Sequence, residues 1–161
     1  LNAHQKLSGK ELDYFDQEKN EHYIPWVIET SAGVERSCLV ALMDAYDEDE
    51  IGGEKRTVMR FKPEVAPVKV AVFPLQKNPP LQEVAMKLYR ELKGFWNVQY
   101  DVAGNIGRRY RRQDEIGTPF CCTVDFDSLE DHAVTIRDRD TTHQERVALD
   151  KVKTYLMERL I

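Results

Sequence analysis

The run Val27-Ile28-Glu29-Thr30-Ser31-Ala32-Gly33-Val34-Glu35-Arg36 holds the residues best suited to chemistry. It reads as a strand that passes through small residues into a helix, with a carboxylate at the strand end and an arginine in the first helical turn. Small residues let a ligand approach the backbone, and a helix N-terminus favours anionic groups. A cation is normally disfavoured there, so Arg36 is unusual. Its planar guanidinium can stack on an aromatic base or clamp a phosphate. Glu29 and Arg36 can equally form an internal ion pair, and the residues alone leave both readings open.

Other constellations carry less. His4, His22, His132 and His143 lack ligand spacing, so no metal site is expected. Gly104 and Gly107 lack the Lys-Ser/Thr of a phosphate loop and read as a turn. Adjacent Cys121 and Cys122 point to opposite faces of a strand and read as packing residues. Three cysteines make no disulfide framework, which favours a reducing, cytoplasmic setting. No catalytic nucleophile or general base stands out.

The elements that must position these residues follow from periodicity. Tyr23–Ile28 is β-branched and aromatic and reads as a buried strand. Val34–Ala45 is apolar almost all round, a helix that belongs inside a large domain, with too little chain before it to enclose it. Residues 44–56 hold six acids and two glycines and read as an exposed connection. Pro63 and Pro67 bracket a transition, which places a boundary near residue 62. Strands follow at Val68–Phe73, Trp96–Val102, Phe120–Phe126 and His132–Arg137. Between them, Asn78-Pro79-Pro80 opens a helix with the stripe Leu81, Val84, Ala85, Leu88 and Leu92, and Gly107–Gly117 forms a short, very basic one. Thr142-His143-Gln144-Glu145 resembles a capping box that starts a last helix. Strands alternating with helices imply an α/β fold with a mixed or parallel sheet.

Composition bounds the class. The 161 residues are 42% hydrophobic and 32% charged, enough for a core, and no stretch approaches the apolar length of a membrane span. Leu1 in place of an initiator Met suggests a piece of a longer protein. Residues 1–63 carry 8 Lys/Arg against 13 Asp/Glu, and residues 64–161 carry 15 against 15, so the net charge of −5 belongs to the first part. The acidity therefore argues little against a nucleic-acid partner for the second part.

The run Val27–Arg36 resembles motif 3 of class II aminoacyl-tRNA synthetases, in the form found in dimeric glycyl-tRNA synthetases; it departs from their pattern at Thr30, where proline is usual. Ser8–Asp16, Gly107–Phe120 and Val134–Thr141 are similar to the same family, and the likeness covers nearly the whole chain. It implies residues 1–62 as the end of a class II catalytic domain and residues 63–161 as an anticodon-binding domain, a five-stranded mixed sheet flanked by helices. It also implies a glycine site at Glu29, Thr30, Ser31, Ala32 and Gly33, in which Glu29 and Ser31 hold the α-amino group and Ala32 and Gly33 form the floor. An ATP site falls at Gly33, Val34, Glu35 and Arg36, with Arg36 stacked on adenine. Motifs 1 and 2 would lie upstream of Leu1, so this chain alone is expected to be inactive.

For the second domain the resemblance implies glycine tRNA as partner. Unstacked anticodon bases are read by stacking and edge hydrogen bonds while cations hold the phosphates. The candidates are Arg108, Arg109, Arg111, Arg112, Phe126, Arg137 and Arg139, although Arg111 can instead pair with Asp114 or Glu115 one turn on and Phe126 can be core. The full-length protein is expected to be a homodimeric ligase using glycine, ATP and Mg2+, with no membrane association. The rival expectation is a non-catalytic RNA-binding accessory module, which would not need Glu29, Ser31 and Arg36 together.

Overall fold

The computed structural model describes residues 1–160, which fall into two compact units, Leu1–Val34 and the chain from Glu35 onward. The first unit has helix α1 (Asn2–Ser8) and a short antiparallel hairpin, β1 (Tyr14–Asp16) and β2 (Glu21–Tyr23). Gly9, in the left-handed conformation, ends α1 and returns its N–H to the Gln5 carbonyl. No residue of this unit is fully buried. The expected buried strand over Tyr23–Ile28 is absent. β2 stops at Tyr23, and Trp26 and Ile28 are 100% and 95% exposed. A β-branched run without a neighbouring strand has nothing to complete its hydrogen-bond ladder.

Helix α2 spans Val34–Ala45, as its composition suggests, yet only Ala45 is buried. The acidic stretch that follows corrects the expectation of a loop. Tyr46–Ile51 (β3) and Glu54–Met59 (β4) pair antiparallel across a Gly52-Gly53 turn, both glycines at positive φ. Charge opposite charge supplies the cross-strand pairing, as where Asp49 faces Arg56. A two-glycine loop suits a hairpin turn.

The five-stranded sheet has the order β6-β5-β7-β8-β9. β5 (Val70–Pro74) runs parallel to β6 (Val98–Tyr100) and β7 (Phe120–Val124). β8 (Ala133–Asp138) pairs antiparallel with β7, and β9 (Gln144–Ala148) antiparallel with β8. The sheet is mixed and flanked by helices, as the resemblance implies.

Helix α3 (Pro79–Lys93) links β5 to β6, and α4 (Ile106–Ile116) links β6 back across to β7. Right-handed crossovers running in opposite directions put the two helices on opposite faces. α3 buries Leu81, Ala85, Leu88 and Leu92 against Val70, Val72 and Cys122; Ile106 and Tyr110 of α4 pack on Ala71, Phe73 and Cys121. Cys121 and Cys122 thus fill the two separate cores. Each buried leucine contributes roughly 1.5–3 kcal/mol relative to an exposed one.

The capping box expected at Thr142 does not start a helix. Gln144 and Glu145 belong to β9, and the chain becomes helical only at a 3-10 turn, Leu149–Lys151, leading into α6 (Val152–Met157). β8 offers an open edge, and pairing there outweighs the local cap. A four-residue helix, α5 (Ser128–Asp131), lies between β7 and β8.

Candidate nucleic-acid interface

The basic helix α4 is amphipathic in an unusual way. Asn105 caps it, its side chain accepting from the Arg108 N–H at 2.8 Å. Arg109, Gln113 and Asp114 then recur at helical spacing on the buried face. Arg109 lies 2% exposed, its terminal nitrogens donating to the carbonyls of Pro74 (2.5 Å) and Leu75 (3.1 Å). Burial pulls its pKa below the usual arginine value. Tyr110 Oη shares a 2.6 Å hydrogen bond with Thr123 Oγ1, and its ring stands edge-on to Phe73.

Asp114 is the hub of a buried ion-pair network. It accepts from both terminal nitrogens of Arg137, at 2.8 and 3.1 Å, and from Arg56 of β4 at 3.3 Å. Arg56 also pairs with Asp49 and donates to the Arg139 carbonyl at 2.8 Å. Arg139 donates to the Gly117 and Phe61 carbonyls and to both oxygens of Asp140. The hairpin β3–β4 is thereby fastened to α4 and β8 through charged groups rather than through a large apolar contact. The backbone also packs closely at Gly117: its φ is +81°, and a Cβ there would stand 2.5 Å from Phe61 Cδ2 and 2.7 Å from the Met59 carbonyl.

The candidate RNA-contacting residues therefore divide. Arg109, Arg137 and Arg139 are buried, and their terminal nitrogens donate to protein acceptors. Arg111 is half-buried and reaches Glu54 at 3.3 Å instead of Asp114 or Glu115 one turn on. Arg112 is exposed and held by Asp101 and the Ala103 carbonyl. Arg108 is exposed, with no side-chain hydrogen bond or ion pair among the described residues, and Phe126 is 45% exposed. Glu29, Thr30, Ser31, Ala32 and Gly33 are exposed in the first unit; Val34, Glu35 and Arg36 are exposed in the first turn of α2.

Two charged residues are not signalled by the sequence. Arg56 is buried because its strand packs on α4, which nothing in an acidic, glycine-bearing stretch signals. Arg146 binds Asp125 and Asp131, which hold its pKa above the usual value.

Residues 69–159 match the family described as the anticodon binding domain. The chain belongs to this family. Its relatives extend the likeness across the other residues too. It is 58% identical over 165 residues to a glycine–tRNA ligase of Thermobifida fusca (strain YX), covering 99% of this chain and 36% of that protein. A glycine–tRNA ligase of Corynebacterium efficiens is 58% identical over 166 residues, covering 100% of this chain and 36% of that protein. One from Caldanaerobacter subterraneus subsp. tengcongensis is 56% identical over 160 residues, covering 99% and 34%. The chain thus spans little more than a third of the length of these curated relatives.

Proposed function

We propose that this chain is the C-terminal part of a glycine–tRNA ligase, with residues 63–161 recognising the tRNA anticodon and residues 1–62 closing the catalytic domain. The observation that carries the reading is the whole-length identity to glycine–tRNA ligases, which takes in Glu29–Arg36 as well as the anticodon-binding domain. In the longer protein, Glu29, Thr30, Ser31, Ala32 and Gly33 hold glycine, with the carboxylate on its ammonium group. Gly33, Val34, Glu35 and Arg36 border ATP. Catalysis there rests on positioning and on electrostatic stabilisation of the phosphates.

Among the described residues, no group of three His, Cys, Asp or Glu is placed to hold a metal ion. Mg2+ enters the longer protein with the triphosphate. Dimerisation likewise falls to the rest of the ligase, which works in the cytoplasm. On the RNA side, exposed Arg108, Arg112 and Phe126 make contact and Arg111 borders them, while Arg109, Arg137 and Arg139 shape the surface from below.

Glycine-dependent ATP–pyrophosphate exchange by the full-length enzyme tests the assignment. Removing one member of a desolvated charge pair costs about 2–5 kcal/mol. Glu29→Gln keeps size and an acceptor, so the lower end applies: kcat/KM for glycine falls about 30-fold with no change in melting temperature. Near-normal exchange would remove the glycine site from this segment.

A further inference from the structure

Helix α2 passes into β3 without a connecting residue. Its last residue is also tied to β4: the Ala45 carbonyl accepts from the Arg60 N–H at 2.6 Å, and Ala45 packs with Phe61 and Ala66. The direction of α2, which carries Arg36 in its first turn, is therefore set by the hairpin β3–β4. Apolar packing does little to seat that hairpin. The cluster around Ala45 holds three buried residues, against sixteen in the main core of the sheet.

Charge seats it instead. An unbroken chain of ion pairs runs from β3 to β8, from Asp49 to Arg56, on to Asp114 and then to Arg137, with Arg60 bridging Asp49 to Asp140 at the rim. Arg56, Asp114 and Arg137 are buried. Burying such charges gives little net stability over apolar side chains of similar volume. What it supplies is direction. Both oxygens of Asp114 meet Arg137, and both oxygens of Asp49 meet Arg56. Such two-pronged pairs fix orientation as well as distance, so the network selects one register of the hairpin on α4.

Asp114 lies on the buried face of α4, whereas Arg108 and Arg112 of the same helix are exposed. The network thus joins the helix that carries Arg36 to the helix that carries the exposed arginines.

We propose that Arg56, Asp114 and Arg137 are positioning residues for glycyl transfer: they hold the anticodon-binding sheet in one register with α2, so that a tRNA seated on the sheet presents its acceptor end in one orientation. The inference rests on the glycine–tRNA ligase reading above, and gives a role to residues buried beneath the RNA-facing surface. In the transfer step a ribose hydroxyl of the tRNA attacks the glycyl carbonyl of glycyl-adenylate. The new ester bond forms as the bond to the AMP phosphate breaks, and the hydroxyl proton leaves with AMP. Adenylate formation consumes only glycine and ATP and is indifferent to the register. Transfer needs one RNA engaged at two places, and this fails where geometry forbids both at once. A misplacement of about 1 Å, arising far from the chemistry, can slow a reaction about 100-fold.

The test is the full-length enzyme carrying Arg56→Met, Asp114→Leu and Arg137→Met together. This removes the buried charges as a set, and Asp49 keeps Arg60. Replacing a buried ion cluster with apolar residues is often neutral or stabilising, so the fold is expected to persist. The melting temperature and glycine-dependent ATP–pyrophosphate exchange are expected to match the unaltered enzyme, while glycyl transfer at saturating tRNA slows about 100-fold. Should the triple variant not fold, Arg60→Gln decides. That side chain is half-exposed and leaves no buried charge stranded, and its loss is expected to slow transfer and spare exchange. A folded variant that transfers glycine at the unaltered rate refutes the positioning role and leaves the ligase reading standing. An equal loss of exchange and transfer refutes it too, because the effect would then lie at the ATP site. If the unaltered enzyme shows no glycine-dependent exchange, the ligase reading falls and the positioning role falls with it.

Discussion

Val27-Ile28 in the first unit and Val70-Ala71-Val72 in the sheet are similar pieces of sequence with opposite fates. The first pair is 60% and 95% exposed, whereas every residue of β5 is buried. β5 has a parallel neighbour on each side and a helix on each face; Val27 and Ile28 belong to no strand. β-propensity expresses fitness for a pleated, half-buried surface rather than the ability to create one. The same holds for α2, where Val40 and Met43 stand in solvent at 65% and 72% exposure while Leu88 and Leu92 of α3 are buried. Under the proposed function, the exposed apolar residues of the first region are those that the rest of the ligase covers.

The largest effect expected of a single substitution in the chain lies at the hub of the charged network. Asp114→Ala leaves the buried guanidiniums of Arg56 and Arg137 without their shared carboxylate, and breaking such a cluster costs roughly 3–5 kcal/mol. Equilibrium urea unfolding reads it directly. A loss under 1 kcal/mol would mean that the hairpin and sheet do not depend on this network, and that burial alone separates the two regions.

A smaller effect comes from acid. The hydrogen bond from Arg56 holds the Asp49 carboxyl below the usual carboxylate range, with Arg60 adding to it. Burial pushes Asp140 upward, but Arg139 and Arg60 outweigh it, and its pKa also ends below the usual value. Groups depressed on folding stabilise fully above their unfolded pKa, near 4, and lose that contribution as pH falls through the folded value. The melting temperature is therefore expected to hold from neutral pH down to about 5 and to drop below about 4. Asp49→Asn is expected to flatten the drop. An unchanged acid profile would detach the hairpin carboxylates from the stability of the sheet.

The smallest effect is expected in the first region. Trp26→Ala and Ile28→Ser should change the stability of this chain by no more than about 0.5 kcal/mol, as for surface substitutions generally, whereas Leu92→Ala should cost about 2–5 kcal/mol. Paired denaturation curves compare them. A loss above 1 kcal/mol at Trp26 would show that the first unit buries this residue in solution, and the contrast between the regions would close.

Much of the architecture was written locally. α2 is legible from its apolar run, α3 from Asn78-Pro79-Pro80 and its stripe, and α4 from Asn105 and Gly117 at its ends, because caps and 3.6-residue periodicity act within a few residues. The alternation of strands and helices and the separate faces of Cys121 and Cys122 follow from equally short-range geometry, and the motif resemblance points to the family. Other features depend on partners distant in sequence. Residues 46–59 became a hairpin because β4 found α4, and Gln144–Ala148 became a strand because β8 offered an edge. The four arginines of α4 look alike in sequence, yet one is buried on carbonyls, one reaches Glu54, one is held by Asp101 and one has no side-chain partner among the described residues. A guanidinium commits to whichever acceptors the folded chain brings within reach, so sequence placed the charge and tertiary structure decided what remained for a ligand.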